Sequence, residues 1–160
     1  MSSRREARER VMQALYAFEL GGGSVQHITK TILKHDLADD PTSFRFAEKL
    51  FLRTLDLTEE GDAIIGRHAD NWDLARIALV DRIVLRMAVC EFLTFEDIPP
   101  KVTINEAIDI AKSYSTDNSG KFVNGILDAV VLELQKKGRL KKSGRGLVGM
   151  QSIISDASSS

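Results

Sequence analysis

The hydrophobic positions of the chain recur every three or four residues, the period of an α-helix, and strand-like alternation is hard to find. In the first periodic segment, Val11, Ala14, Leu15 and Phe18 fall on one face. The three prolines all lie between periodic segments, where proline starts or ends helices. The pattern therefore predicts an all-α protein.

Polar residues mark two of the expected helix starts. Ser3 and Glu6 have the spacing of a capping box at the beginning of the first helix. Thr103 and Glu106 have the same spacing after Pro100, and we expect another helix to be capped there.

Further helices follow from the remaining periodicity. We expect a second helix over residues 24–34 and a third that begins at Pro41. The expected buried face of the third helix consists of Phe44, Ala47, Phe51 and Leu55. The segment 74–95 is apolar almost all round, which predicts a helix buried between others.

The regular pattern ends at Gly138. Residues 139–160 are first basic and then rich in Ser and Gly, a composition typical of flexible segments. We therefore predict one folded region over residues 1–138, followed by a flexible tail over residues 139–160.

The amino-acid composition and net charge of the chain limit the classes of function that it can have. The 160 residues carry a formal net charge of -1, so nucleic acid can be bound only through a local basic patch. A single cysteine, Cys90, cannot form an internal disulfide, which favours a reducing compartment. The N-terminus lacks the apolar core of a signal peptide, and no apolar run approaches the ~20 residues needed to cross a bilayer. We expect a soluble, cytoplasmic protein that does not contact membranes.

Motifs for catalysis and for small ligands are weak. Gly120 and Lys121 resemble part of a phosphate-binding loop, but Phe122 stands where that motif needs Ser or Thr, and a helix precedes it instead of a strand. The three histidines are scattered, and no Cys/His pair has the spacing of metal ligands. We expect no enzymatic activity, no catalytic residue, no metal and no cofactor.

The N-terminal helix offers a candidate nucleic-acid contact. Arg4, Arg5 and Arg8 lie close together on its first turns, and the planar guanidinium suits phosphate oxygens and stacks on bases. Cations at a helix N-terminus oppose the helix dipole, a small cost that binding would justify. The alternative is a solvated helix end, where Glu6 and Glu9 offset exposed arginine charges.

The loop "STDNSGKFVNG", residues 115–125, is a second candidate. Lys121 can meet a phosphate, Asn118 and Ser119 can form hydrogen bonds, and Phe122 can stack on a base if it is exposed. In the alternative interpretation Ser119 caps a helix, Phe122 belongs to the core, and the loop only turns the chain.

Four segments together carry a family resemblance. They are RREARERVMQALYAFEL, VDRIVLRMAVCEF, IPPKVTINEAIDIAKSYS and DNSGKFVNGILDAV. In their order and spacing they resemble the NusB transcription antitermination family. The resemblance covers residues 3–137 and is strongest over residues 81–131.

The resemblance implies a fold and a function. The fold is about seven helices in two packed helical bundles, at about residues 3–70 and 74–138, without enzymatic activity. Members of this family pair with a small-subunit ribosomal protein, also called NusE, and the pair binds the single-stranded boxA element of nascent RNA. That complex helps RNA polymerase to read through terminators, notably in ribosomal RNA operons.

The resemblance also implies residue roles. The predicted RNA-binding residues are Arg4, Arg5, Arg8, Tyr16, Asn118, Lys121 and Phe122. The arginines fall on the family's arginine-rich motif, the tyrosine on its QALY segment, and the Lys-Phe pair on the start of its KFVNG helix. Asp81 matches an acidic position near the RNA and partner surface and is the predicted partner-binding residue. Glu6 stands where the family commonly has another arginine, so we expect weaker RNA binding in the absence of the partner.

Other hypotheses stay open beside this one. The chain can instead be a helical protein–protein adaptor that never touches RNA, and self-association of the free protein into a homodimer is a further alternative. NusB-like domains also precede cytosine methyltransferase domains, but we do not expect that activity here because no cofactor-binding α/β domain follows residue 138.

Overall fold

The structure is a computed structural model that describes residues 3–69 and 76–159, with side chains described up to Ile154. Within these residues the regular elements are helices and no strand occurs, which confirms the predicted all-α class. The α-helices are α1 Arg4–Glu19, α2 Val25–Ile28, α3 Pro41–Asp56, α4 Thr58–His68, α5 Leu79–Thr94, α6 Pro100–Tyr114, α7 Asp117–Lys136 and α8 Met150–Ser159. A π-helical segment, Thr29–Lys34, continues α2, and a 3-10 segment, Gly144–Leu147, precedes α8.

The chain divides into two compact units, which we call unit 1 and unit 2. Unit 1 runs to Asp56 and contains α1, α2, the π-helical segment and α3. Unit 2 runs from Leu57 and contains α4 to α8. Helix α4 packs on α5 and α7 and lies in unit 2, whereas the bundle bounds that the resemblance implies place residues 58–68 with the N-terminal bundle.

In unit 1, α1 packs on α3 and on the π-helical segment. The predicted capping box is half present, because the Ser3 side chain accepts a hydrogen bond from the Glu6 backbone N–H at 3.0 Å. Helix α1 ends before Gly21, whose φ of +80° lies in the left-handed region that favours glycine.

The buried face of α3 differs from the predicted one. Ala47 and Phe51 are buried as expected, but Phe44 and Leu55 are only half-buried. Phe46 and Leu50 are buried in their place. Apolar residues lie on two adjacent faces of this helix. The predicted face is therefore rotated about the helix axis relative to the face that is buried in the structure.

Helix α5 is the most deeply buried element of unit 2 and packs on α4, α6 and α7. Its buried side chains include Leu85, Phe92 and the single cysteine, Cys90. This agrees with the expectation of a buried helix within residues 74–95, although Leu74 lies outside the described residues.

The predicted capping box of α6 is wrong. Pro99 is the N-cap and Pro100 begins the helix, because the fixed φ of proline suits the first helical position. Thr103 is therefore one turn inside the helix, where its buried hydroxyl donates to Glu91 Oε1 at 2.9 Å.

Residues 139–159, for which the composition predicts a flexible tail, contain the 3-10 segment and α8. Leu140, Met150 and Ile153 are buried. Lys142 Nζ donates to the carbonyl oxygens of Glu91 and Phe95 at 3.0 and 2.7 Å, which satisfies the C-terminal end of α5. Burial lowers the pKa of Lys142 to about 8. The basic residues that suggested a solvated tail thus include one that anchors the segment.

Candidate functional site

The first turns of α1 place the three candidate arginines in different environments. Arg4 is exposed, Arg5 is half-buried, and Arg8 is 4% exposed. Arg8 is therefore not an exposed charge, whereas Arg4 is. Residues 4 and 8 are one turn apart on a helix, and where α3 packs against α1, Arg8 is buried and Arg4 stays exposed.

Phe46 of α3 joins two of these arginines. The guanidinium carbon of Arg4 lies over the Phe46 ring, 4.2 Å from its centre, and that of Arg8 lies 5.2 Å from the same centre. Both distances are within the range of cation–π attraction. Phe46 was not among the candidates predicted from the sequence, because it lies outside the predicted buried face of α3.

Tyr16 lies two turns farther along α1 than Arg8. Its side chain is 39% exposed, and Phe18 and Leu20 beyond it are also exposed. A phenol with this exposure presents both a flat apolar face and a hydroxyl to a ligand. The structure thus leaves the predicted RNA-binding tyrosine accessible.

The loop before α7 is a helix start. Thr116 is the N-cap, and its hydroxyl accepts a hydrogen bond from the Ser119 backbone N–H at 3.1 Å. Asn118 is exposed on the first turn of α7, Lys121 is exposed at the start of the second turn, and Phe122 beside it is half-buried. The cap is thus Thr116 and not Ser119, and the aromatic side chain is neither fully exposed nor a full member of the core.

Asp81 of α5 lies beside this helix start. It is 6% exposed, and its Oδ2 accepts a hydrogen bond from Ser119 Oγ at 2.9 Å. Burial raises the pKa of Asp81, and the bond from Ser119 opposes that rise. Its predicted role in partner binding stays a prediction, and in this conformation the carboxylate lies below the surface.

Two cavities adjoin Phe122, which forms part of both walls. One cavity, of about 340 Å³, is lined by Asp81, Asn118, Ser119 and Phe122, together with Thr116 and residues 76–78, which precede α5. It is mostly apolar. The structure therefore brings three of the predicted residues of unit 2, Asp81, Asn118 and Phe122, around one cavity.

The other cavity, of about 450 Å³, lies between the end of α4 and α7. Its walls include Lys121, Phe122, Arg67 and His68. This cavity is more polar than the first. Arg67 and His68 were not predicted from the sequence, since no local motif links α4 to α7.

A half-buried carboxylate, that of Glu133, pairs with the two basic residues of α4 that line this second cavity. Arg67 donates from Nε to Glu133 Oε1 at 2.9 Å and also from Nη2 to Oε2, and His68 Nε2 lies 2.8 Å from Oε1. The hydrogen bonds from Arg67 are the main reason that the pKa of Glu133 falls to about 2. The same pairing raises the pKa of Arg67. Lys121, by contrast, is exposed.

In the parts of the chain that the structure describes, no group of three or more His, Cys, Asp and Glu side chains is arranged to hold a metal ion. None of the helices in those parts combines the length and the apolar character that crossing a bilayer requires.

Comparisons with known proteins agree with the resemblance that the sequence carries. The NusB family model matches residues 5–132. The chain is 53% identical over 160 residues to the transcription antitermination protein NusB of Salinibacter ruber (strain DSM 13855 / M31), a match that covers 100% of both sequences.

Solved structures of this family share the fold. NusB from T. maritima is 40% identical with a TM-score of 0.74, covering 81% of this chain and 90% of that chain. A structure of antitermination factors NusB and NusE in complex with dsRNA is 28% identical with a TM-score of 0.72, covering 79% of this chain and 94% of that chain. The chain belongs to the NusB family of transcription antitermination proteins.

Proposed function

We propose that this protein binds single-stranded boxA-type RNA together with the small-subunit ribosomal protein NusE. In this proposal the complex joins the RNA polymerase antitermination complex in the cytoplasm and supports processive transcription of ribosomal RNA operons. Family membership makes the chain a transcription antitermination protein and not an enzyme, as the sequence predicts. The similarity to a NusB bound to NusE and RNA supports the choice of partners.

The observation that carries RNA binding is the position of Phe122 between two cavities. Its half-buried ring adjoins an apolar cavity on one side and a cavity with the exposed Lys121 on the other. An aromatic face beside an apolar cavity suits an unpaired base, and an exposed ammonium group suits the phosphate that joins it to the next nucleotide.

The positive end of α7 adds to this attraction. Asn118 is exposed on its first turn, where the helix dipole favours an anion. In unit 1, the exposed guanidinium of Arg4 offers another phosphate contact. These groups support an RNA-binding surface in each unit.

The strandedness of the RNA is a sharp test of this proposal. The related structure contains double-stranded RNA. The cavities beside Phe122 instead fit bases that are free of a complementary strand, because a paired and stacked base has no exposed face to offer. We expect labelled single-stranded boxA-like RNA to bind more tightly than the same sequence in a duplex. Equal or tighter duplex binding would remove base insertion from the proposal.

The partner should strengthen binding. Two protein surfaces that share one RNA raise its effective concentration at each surface. Titration of labelled boxA-like RNA should therefore show weak binding to the free protein and tighter binding after NusE is added. Identical affinities with and without NusE would remove the partner from the mechanism.

Phe122→Ala tests the stacking role directly. Loss of one base–aromatic contact should weaken RNA binding by ~1–3 kcal/mol with an unchanged salt dependence. Because Phe122 is only half-buried, the free energy of unfolding should fall by less than the ~3–5 kcal/mol of a full core truncation. Unaltered affinity combined with a full core penalty would show that the ring is structural.

The alternative is a helical adaptor that binds proteins and not RNA. Tyr16, Phe18 and Leu20 form an exposed apolar end of α1 that suits such a role. Under this alternative, NusE binds as before and no RNA crosslinks to Lys121 or Phe122. Crosslinking of RNA in the presence of NusE distinguishes the two functions.

A further inference from the structure

In unit 1, two arginine side chains contact one aromatic ring, although several unfavourable energetic contributions oppose this arrangement. Arg4 and Arg8 carry like charges, Arg8 is buried, and both lie at the positive end of the α1 dipole. The ring of Phe46 is 6% exposed and supplies the negative π face that both guanidinium groups approach. Phe46 therefore does more than fill space between α1 and α3.

The stack leaves the binding edge of Arg4 available. A cation–π contact uses the flat face of a guanidinium, whereas its N–H donors lie in the guanidinium plane and point outward from its edges. Arg4 is exposed, so its N–H donors can meet solvent or a phosphate while its guanidinium carbon stays 4.2 Å from the ring centre. Arg8 is buried and holds the same ring deeper in unit 1.

We propose that Phe46 is a positioning residue for RNA binding, and that its ring fixes the exposed guanidinium of Arg4 in the orientation that meets an RNA phosphate. This inference rests on the proposed RNA-binding function. A free arginine side chain loses much of its rotamer freedom when it binds, and a side chain that is already held loses less. The ring thus raises affinity without touching RNA.

The test compares matched substitutions in α3. Phe46→Leu removes the π face but keeps an apolar side chain, and Phe46→Tyr keeps the face. Phe51→Leu makes the same change in the same helix at a fully buried residue, and it serves as the control. Each protein is titrated with single-stranded boxA-like RNA in the presence of NusE, over a range of salt concentrations, after circular dichroism has confirmed folding.

We expect Phe46→Leu to weaken RNA binding by about 2–5-fold, the size of an exposed cation–π contact. The salt slope should stay unchanged, because Arg4 still reaches the phosphate in the complex. Phe46→Tyr should restore affinity, and Phe51→Leu should leave affinity unchanged. In an Arg4→Ala background, Phe46→Leu should cause no further loss.

The outcomes separate this inference from the proposed function. If Arg4→Ala weakens binding and Phe46→Leu does not, the positioning role is overturned and RNA binding through Arg4 stands. If Phe46→Leu weakens binding equally with and without Arg4, or Phe51→Leu weakens it as much, the ring acts only through the fold and the inference fails. If Arg4→Ala itself has no effect, Arg4 makes no phosphate contact and the inference fails, while RNA binding through Lys121 and Phe122 of unit 2 stands.

Discussion

Arginine side chains are held in two different ways in the two units. In unit 1, the guanidinium groups of Arg4 and Arg8 lie over the ring of Phe46. In unit 2, Arg67 donates to both carboxylate oxygens of Glu133 and, more weakly, to the Ala63 carbonyl oxygen at 3.4 Å. An aromatic ring contacts a guanidinium without neutralising its charge, whereas a carboxylate accepts hydrogen bonds from its N–H groups and neutralises its charge.

This difference shows which basic residues can serve an anionic ligand. The chain has 22 lysines and arginines against 23 acidic residues, so the count alone indicates no preference for RNA. Arg4 and Lys121 are exposed and available, while Arg67 lies beside the same cavity as Lys121 with its donors engaged. The side-chain environment, and not the number of charges, decides the candidate RNA surface.

The largest expected effect is on folding stability and concerns Arg8, the buried arginine beside the Phe46 ring. Arg8→Ala should lower the free energy of unfolding by about 2 kcal/mol, since it removes packing as well as the cation–π contact. Arg4→Ala should lower it by less than ~1 kcal/mol, because Arg4 is exposed. Urea unfolding, with Arg45→Ala as an exposed control in α3, measures the difference. Equal losses of unfolding free energy in Arg4→Ala and Arg8→Ala would mean that the burial of Arg8 does not contribute to stability.

The second expected effect is on the stability of unit 2, and it depends on pH. The pKa of Glu133 lies at about 2, below its ordinary value of 4.5, so its contribution is present above the unfolded pKa and lost as pH falls through the folded one. Glu133→Gln should lower stability by about 1–2 kcal/mol at neutral pH, a value reduced from the full linkage because Arg67 is 44% exposed. The difference from the unsubstituted protein should shrink between pH 4.5 and about 2. A difference that is constant over this range would show that the carboxylate charge is not responsible.

The smallest expected effect is on the salt dependence of RNA binding, and it tests the comparison most directly. Arg4→Ala and Lys121→Ala should each reduce the slope of log affinity against log salt by about 0.7, the value for one phosphate contact on a single strand. Arg67→Ala should leave the slope unchanged, because Glu133 already engages its donors. If Arg67→Ala reduces the slope as much as Lys121→Ala, the pairing with Glu133 breaks when RNA binds.

The sequence by itself determined the helical class, most helix starts and the family. Helical periodicity and caps such as Ser3 are local properties, because they depend on residues three or four positions apart. The family segments likewise placed Arg4, Lys121 and Phe122 among the candidate RNA contacts. Where two local signals competed, as at Pro100 and Thr103, the fixed φ of proline prevailed over the capping pattern.

Only the tertiary structure decided which of these candidate groups are accessible. Arg8 and Arg4 look alike in the sequence, but α3 covers one and leaves the other exposed. Phe46, Glu133 and Lys142 gained their roles from partners 38 or more residues away in the chain, through contacts that no local spacing encodes. Burial and long-range pairing depend on how helices pack against one another. The period of the hydrophobic residues specifies that one face of a helix is buried, but it does not specify which side chains of other helices contact that face.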